Sequence, residues 1–223
     1  MPDATPLPSE PRTPLSRTRI LEVAVAYADE HGLKTLSMRR LAAVLGFKVM
    51  ALYNHVASKD DMLDGAVDLV AAEIDVPAVV DADWQAALRH IAVATRQAFL
   101  RHPWAARIWS SRTPGPARLR YMEGLLRVMR EGGLSPDLTY RAFHLLNVYI
   151  LGFTLDQLNF QFTPEELDAK ATDFLAGLPI DTFPWLTEHI HQHVEGHIAH
   201  DGEFLFGLDL LLAGLDQHRA SMH

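Results

Sequence analysis

From Ser16 onward the apolar residues recur three and four positions apart, and almost nowhere do they alternate. Spacing near 3.6 residues gathers side chains on one face of a helix, whereas alternation would mark a strand. This pattern confines the chain to an all-α class. Capping residues, glycines and prolines then set where each helix begins and stops, and they predict roughly nine to eleven helices. The first runs over Ser16–Glu30, with Ser16 as its cap, Ile20, Ala24, Tyr27 and Ala28 turned inward, and Gly32 as its stop. Arg19 stands where a reciprocal capping box would need Glu or Gln, so the box is absent. Ser37 caps a second helix with Met38, Leu41, Ala42 and Leu45 inward, and Gly46 breaks it. A third short helix is predicted over Val49–His55. Ser58 caps a fourth, with Asp60 and Asp61 in the first turn, where carboxylates suit the helix dipole.

Pro2, Pro6, Pro8, Pro11 and Pro14 remove backbone donors, so residues 1–15 read as a disordered arm. Residues 16–62 read as a small helical head and 63–223 as a larger helical body, with a linker around Val76–Asp83. Further helices are predicted from Trp84 to Pro103, over Trp104–Ser110 and Ala117–Arg130, and from Ser135–Pro136 to Phe160. Others start at Thr163–Pro164–Glu165–Glu166, Phe183 and Glu203. Ser135–Phe160 and Glu203–Arg219 are apolar around much of their circumference. Each therefore needs cover on more than one side, from a large core or from a second copy across a two-fold axis.

The absence of cysteine excludes a disulfide scaffold, a Cys-ligated zinc finger, a thiol nucleophile and an iron–sulfur site. No apolar stretch is long enough to span a bilayer, and the first residues lack the apolar core of a signal peptide. A cytoplasmic protein without membrane attachment is expected. There is no GxSxG elbow, P-loop or dinucleotide fingerprint, so neither an enzyme nor a bound cofactor is expected. The net charge of −8 is uneven: residues 1–60 hold eight basic and six acidic side chains, the rest 12 and 22. A weakly basic end on an acidic body permits a local nucleic-acid module.

Two short helices joined at Gly46 fit a helix-turn-helix, in which the second helix enters the major groove. Lys48, Val49, Met50, Ala51, Tyr53, Asn54 and His55 would then face double-stranded DNA, with Leu52 and Val56 toward the core. Asn54 can pair with a base edge, and Val49, Met50 and Ala51 can touch thymine methyls. Ser37, Arg39, Tyr53, His55 and Lys59 suit phosphates, which fix register without reading sequence. The same spacing also fits a plain helical hairpin with solvated charges.

The run Leu21–Leu63 resembles the N-terminal domain of the tetracycline-repressor (TetR) family. The residues that carry the resemblance are Gly32, Ser37–Arg39–Arg40–Leu41–Ala42, Gly46, Leu52–Tyr53–Asn54–His55–Val56 and Lys59–Asp60–Asp61–Met62–Leu63. Phe204–His218 is similar to the last helix of the tetracycline repressors themselves. The resemblance implies a homodimeric regulator with two heads on a palindromic operator, a four-helix dimer interface and a small-molecule effector in the body. It also implies that Met62–Ile74 couples the effector pocket to the head.

The positions matching the family's drug and magnesium contacts are Asp75, Ile91, Thr95, Trp109, Arg112 and Leu125, a largely apolar set. The tetracycline repressors carry histidine at the first and fourth, asparagine at the second and glutamine at the last. A hydrophobic or aromatic effector is therefore expected rather than tetracycline–magnesium. Trp84, Phe99, Trp104, Tyr121, Phe143 and Asn147 join Ile91, Thr95, Trp109, Arg112 and Leu125 as candidate effector contacts, though large aromatics are buried for packing alone more often than not. Arg107 and Arg112 are candidates to meet an acidic ligand. No metal site is expected. The alternative is a metal-responsive regulator using His189, His191, His193, His197 and His200, since histidines four apart can chelate zinc, nickel or copper.

Overall fold

The computed structural model describes residues 14–78, 83–160, 163–195 and 200–221. Residues 1–13 of the expected arm, residues 79–82 of the expected linker and His197 lie outside the described residues. Eleven α-helices and two single helical turns follow one another, with no strand among the described residues. In chain order they are α1 (Arg17–His31), α2 (Met38–Leu45), α3 (Val49–Tyr53), α4 (Lys59–Ala72), α5 (Trp84–Arg101), α6 (Pro103–Ile108), α7 (Pro116–Glu131), α8 (Pro136–Asn159), α9 (Pro164–Gly177), α10 (Pro184–Glu195) and α11 (His200–Ala220).

The expected caps operate. The hydroxyls of Ser16, Ser37, Ser58 and Ser135 accept from Arg19, Arg40, Asp61 and Leu138 backbone N–H groups respectively. Asp83 caps α5 in the same way. Thr163 and Glu166 form a reciprocal capping box at α9. Each satisfies a donor that the first helical turn leaves without a backbone partner.

The inward stripe of α1 is Ile20, Leu21, Ala24 and Ala28, while Tyr27 stands at its edge and accepts a hydrogen bond from Arg40. α4 packs against α1 on one side and α7 on the other, so it belongs to head and body at once. In the body α5, α7 and α8 pack together and α11 lies along α8. Their contact is close: a Cβ on Gly207 would stand 2.4 Å from the Tyr149 hydroxyl, which donates to the Phe204 carbonyl at 2.7 Å. The buried Arg96 staples α5 to both, reaching Gln157 at 2.6 Å and Asp201 at 2.7 Å, with its guanidinium over the Phe204 ring. α9 and α10 pack on each other.

Candidate functional site

The head's geometry starts at Gly46. Its φ of 75° and ψ of 27° are left-handed, and Gly46 and Phe47 donate to the Ala43 and Ala42 carbonyls, closing α2 as a Schellman-type end. A Cβ there would meet nothing within 4 Å, so the backbone conformation, not space, selects glycine. α3 follows at once, anchored by fully buried Leu52 and Val56. Its other side is open: Met50 is 73% and Tyr53 41% exposed. Lys48, Asn54, His55, Lys59 and Arg39 are also exposed, while Val49 and Ala51 are half-buried. The Ser37 hydroxyl serves as an acceptor in its cap, which leaves its O–H free to donate.

α3 ends at Tyr53, two residues before the predicted His55. The His55 and Val56 N–H groups both return to the Leu52 carbonyl, and the His55 carbonyl accepts from Arg17. Burying Val56 and opening α4 at Ser58 require this turn. Asn54 and His55 therefore project from the turn rather than from the helix.

Arg17 grips Asp61 through both guanidinium nitrogens, at 2.7 and 2.8 Å, and Ala57 N–H reaches the same carboxylate at 2.7 Å. The Arg17 hydrogen bond, with the Ala57 N–H, holds the Asp61 carboxyl down at about 2 against a smaller opposing effect of burial. A second polar knot lies where α1 and α4 meet the start of α6. The buried His102 ring contacts Asp29 through Nδ1 at 2.8 Å and Glu73 through Nε2 at 3.0 Å. Trp104 Nε1 donates to Asp29 at 2.7 Å, and Arg101 donates to Glu73 at 2.8 Å.

α4 carries a third set of contacts. Asp60, Asp64 and Asp68 recur every four residues and face the chain between α6 and α7. Asp60 pairs with Arg112 at 2.7 Å, and Asp64 accepts from Thr113 N–H at 3.3 Å. Asp68 accepts from the Ala117 and Arg118 N–H groups at 3.1 and 2.8 Å, capping α7 from a neighbouring helix. Gly115 is required there, because a Cβ would stand 2.4 Å from the Asp68 carboxyl carbon.

This segment forms one wall of a cavity of about 260 Å³. Thr95 and Phe99 enter from α5, Trp109 and Ser110 from the turn after α6, Arg118, Tyr121 and Met122 from α7, and Phe143, His144, Asn147, Val148, Ile150 and Leu151 from α8. Trp109 meets Phe99 and Tyr121 edge-on, at 4.9 and 5.9 Å between ring centres. Burial pushes the Tyr121 hydroxyl up to about 12, so it stays neutral and donates to Asn147 at 3.3 Å. The Arg118 guanidinium lies 4.4 Å from the Trp109 ring centre, and burial lowers its pKa.

Of the expected effector contacts, Thr95, Phe99, Trp109, Tyr121, Phe143 and Asn147 stand in this wall. Ile91 and Leu125 are fully buried and do not line it. Three others belong elsewhere. Trp84 sits against Gly132 under Arg219, Trp104 is held at the head by Asp29, and Arg112 pairs with Asp60 and Asp64 and does not line the cavity. Arg107 donates to Asn159. Ser110, Met122, His144 and Arg118 are wall residues that the sequence reading missed. The spacing of Arg118, Tyr121 and Met122 on one face of α7 was a usable signal for Arg118.

Of the histidine run, His191 is exposed on α10, while the side chains of His193 and His200 are not described. Among the described residues no group of three or more His, Asp or Glu side chains is placed to hold a metal. No described helix is long and apolar enough to cross a membrane.

Residues 76–219 match the family described as tetracyclin repressor-like, C-terminal domain, and residues 20–66 match the bacterial regulatory proteins of the tetR family. The chain belongs to the TetR family. Among its relatives, the HTH-type transcriptional repressor DrrR1 of Streptomyces coeruleorubidus is 37% identical over 66% of this chain, and the match spans 56% of that repressor's length. The class D tetracycline repressor protein of Escherichia coli is 31% identical over 91% of this chain and 89% of its own. Among solved structures, apo ActR from Streptomyces coelicolor superposes with a TM-score of 0.83 at 30% identity, covering 95% of this chain and 99% of that one. ActR in complex with actinorhodin gives 0.81 at 30% identity, over 93% and 99%.

Proposed function

We propose that the protein is a homodimeric TetR-family repressor that binds a palindromic operator and is released by a small aromatic effector. One observation carries the reading. A single helix, α4, is fixed to the head through Asp61 and to the rim of an aromatic cavity through Asp64 and Asp68. A ligand that prefers one placement of that rim thereby prefers one placement of the heads, which is all that release requires. The relatives support it: one is a repressor, and ActR holds actinorhodin. Ile91, Trp109 and Leu125 supply no ligand for magnesium, which favours an aromatic effector over tetracycline–magnesium.

The exposed side of α3 and the turn after it supply the DNA contacts, with Met50, Val49 and Ala51 toward thymine methyls and Asn54 toward a base edge. Ser37, Arg39, Lys48, Tyr53, His55 and Lys59 take phosphates. Selection of genomic fragments by the purified protein, followed by footprinting, tests this. Two protected half-sites about 34–36 Å apart are expected. No salt-sensitive preference for any two-fold site would overturn the reading. Tyr53→Ala or Lys59→Ala should weaken binding to all DNA alike, whereas Asn54→Ala should cost about 1–3 kcal/mol more on the selected operator than on unrelated DNA.

A further inference from the structure

Among the described residues lining the cavity, the one guanidinium is Arg118. Its Nη1 donates to the Arg112 carbonyl at 2.9 Å and its Cζ lies over the Trp109 ring, 4.4 Å from the centre. The Nε and Nη2 groups reach no acceptor among the described residues, and no described carboxylate forms an ion pair with this side chain. Asp64 and Asp68 are close enough to favour its charge electrostatically. Both are committed, however, to the backbone N–H groups of Thr113, Ala117 and Arg118. Burial works against the cation, and nothing in the wall offers it a paired anion. An Nε–Nη2 edge is the fork that receives the two oxygens of a carboxylate side by side.

We infer that the effector is an anion: a flat aromatic acid whose acidic oxygen pairs with the Nε–Nη2 edge of Arg118 while its rings lie among Phe99, Trp109, Tyr121 and Phe143. The inference rests on the reading of this cavity as the effector site, and it names the ligand's charge. Arg118 is then the specificity-determining residue. The neutral groups beside it, Thr95, Tyr121 and Asn147, already share hydrogen bonds within the protein.

The test uses the full chain and two probes of nearly the same shape, anthraquinone-2-carboxylate and neutral 2-(hydroxymethyl)anthraquinone, titrated by calorimetry. The acid is expected to bind at least about tenfold tighter, as a charge-assisted bidentate contact would give. Its affinity should fall with added salt while that of the neutral probe stays level. Arg118→Gln should bring the two probes within about twofold of each other, mainly by weakening the acid. The salt series uses the unaltered protein, so it decides the matter even if the variant fails to fold. Equal affinities without salt dependence, or a preference that survives Arg118→Gln, would overturn the anion inference and leave the cavity reading standing. Binding of neither probe would overturn the cavity as a site for aromatic ligands, and the inference with it.

Discussion

Asp61 takes three hydrogen bonds at the junction of α1, α4 and the turn after α3, and its neighbours hold its carboxyl at about 2. An unfolded aspartate titrates at about 3.9. The folded value is the lower one, so the group contributes stability that is present above about pH 4 and lost as pH falls toward 2. Asp61 is about a third exposed, and solvent screening reduces the contribution to roughly 1 kcal/mol. Asp61→Asn should therefore be less stable at pH 7 by about that amount, and the gap from the wild type should narrow between pH 4 and pH 2.5. Urea unfolding at pH 7, 4, 3 and 2.5 reads both. Parallel curves at all four values would mean that the Arg17 contact adds nothing to folding.

At the scale of elements the informative unit is the join between α4 and the first turn of α7. Asp68 supplies the cap that α7 lacks locally, since Gly115 has no side chain with which to cap. Asp68→Ala should cost about 1–2 kcal/mol, the usual loss for a helix cap. Asp60→Ala, which removes a 78% exposed partner of Arg112, should cost under about 0.5 kcal/mol. Thermal melts of both variants check the order, and equal losses would show that the join is held by charge alone. Much of this fold was legible in the sequence. The serine caps, the Gly46 turn and the inward stripes of α2 and α4 are local facts, set by residues within one turn of each other. The wall of the cavity was only half legible. Phe99 and Tyr121 sit on helical stripes, but whether Trp104 or Trp109 faces the cavity depends on Asp29, 75 positions before Trp104. Arg112 and Arg118 are alike in sequence, and only the acidic face of α4 decides that the first is neutralised and the second is not. The early end of α3 goes with the burial of Val56, a tertiary demand that helical spacing alone does not carry.

At the scale of the whole molecule, α8 and α11 leave large apolar side chains uncovered. Tyr140, Leu145 and Val148 on α8, the last at the edge of the cavity, and Phe206 and Leu210 on α11 are exposed apolar side chains. Each is 47–69% exposed although the two helices already pack on each other and on α5. Large apolar side chains left exposed on two helices that pack together point to an interface. A two-fold axis that sets the pair against its own copy buries the same side chains twice, as a self-complementary contact requires. Leu210→Arg places a charge in that seam without touching the core behind it. The variant should keep its helical signal and sediment as a monomer at micromolar concentration. Its operator affinity should fall by about 100-fold or more, because two unlinked heads lose the effective concentration that the dimer provides. Leu119→Arg is the matched control: Leu119 is a comparably exposed leucine on a different helix, α7, and that variant should stay dimeric. If Leu210→Arg also stays dimeric, the copies meet through another face, and the exposed Phe174, Phe183 and Trp185 of the α9–α10 region become the surface to alter next.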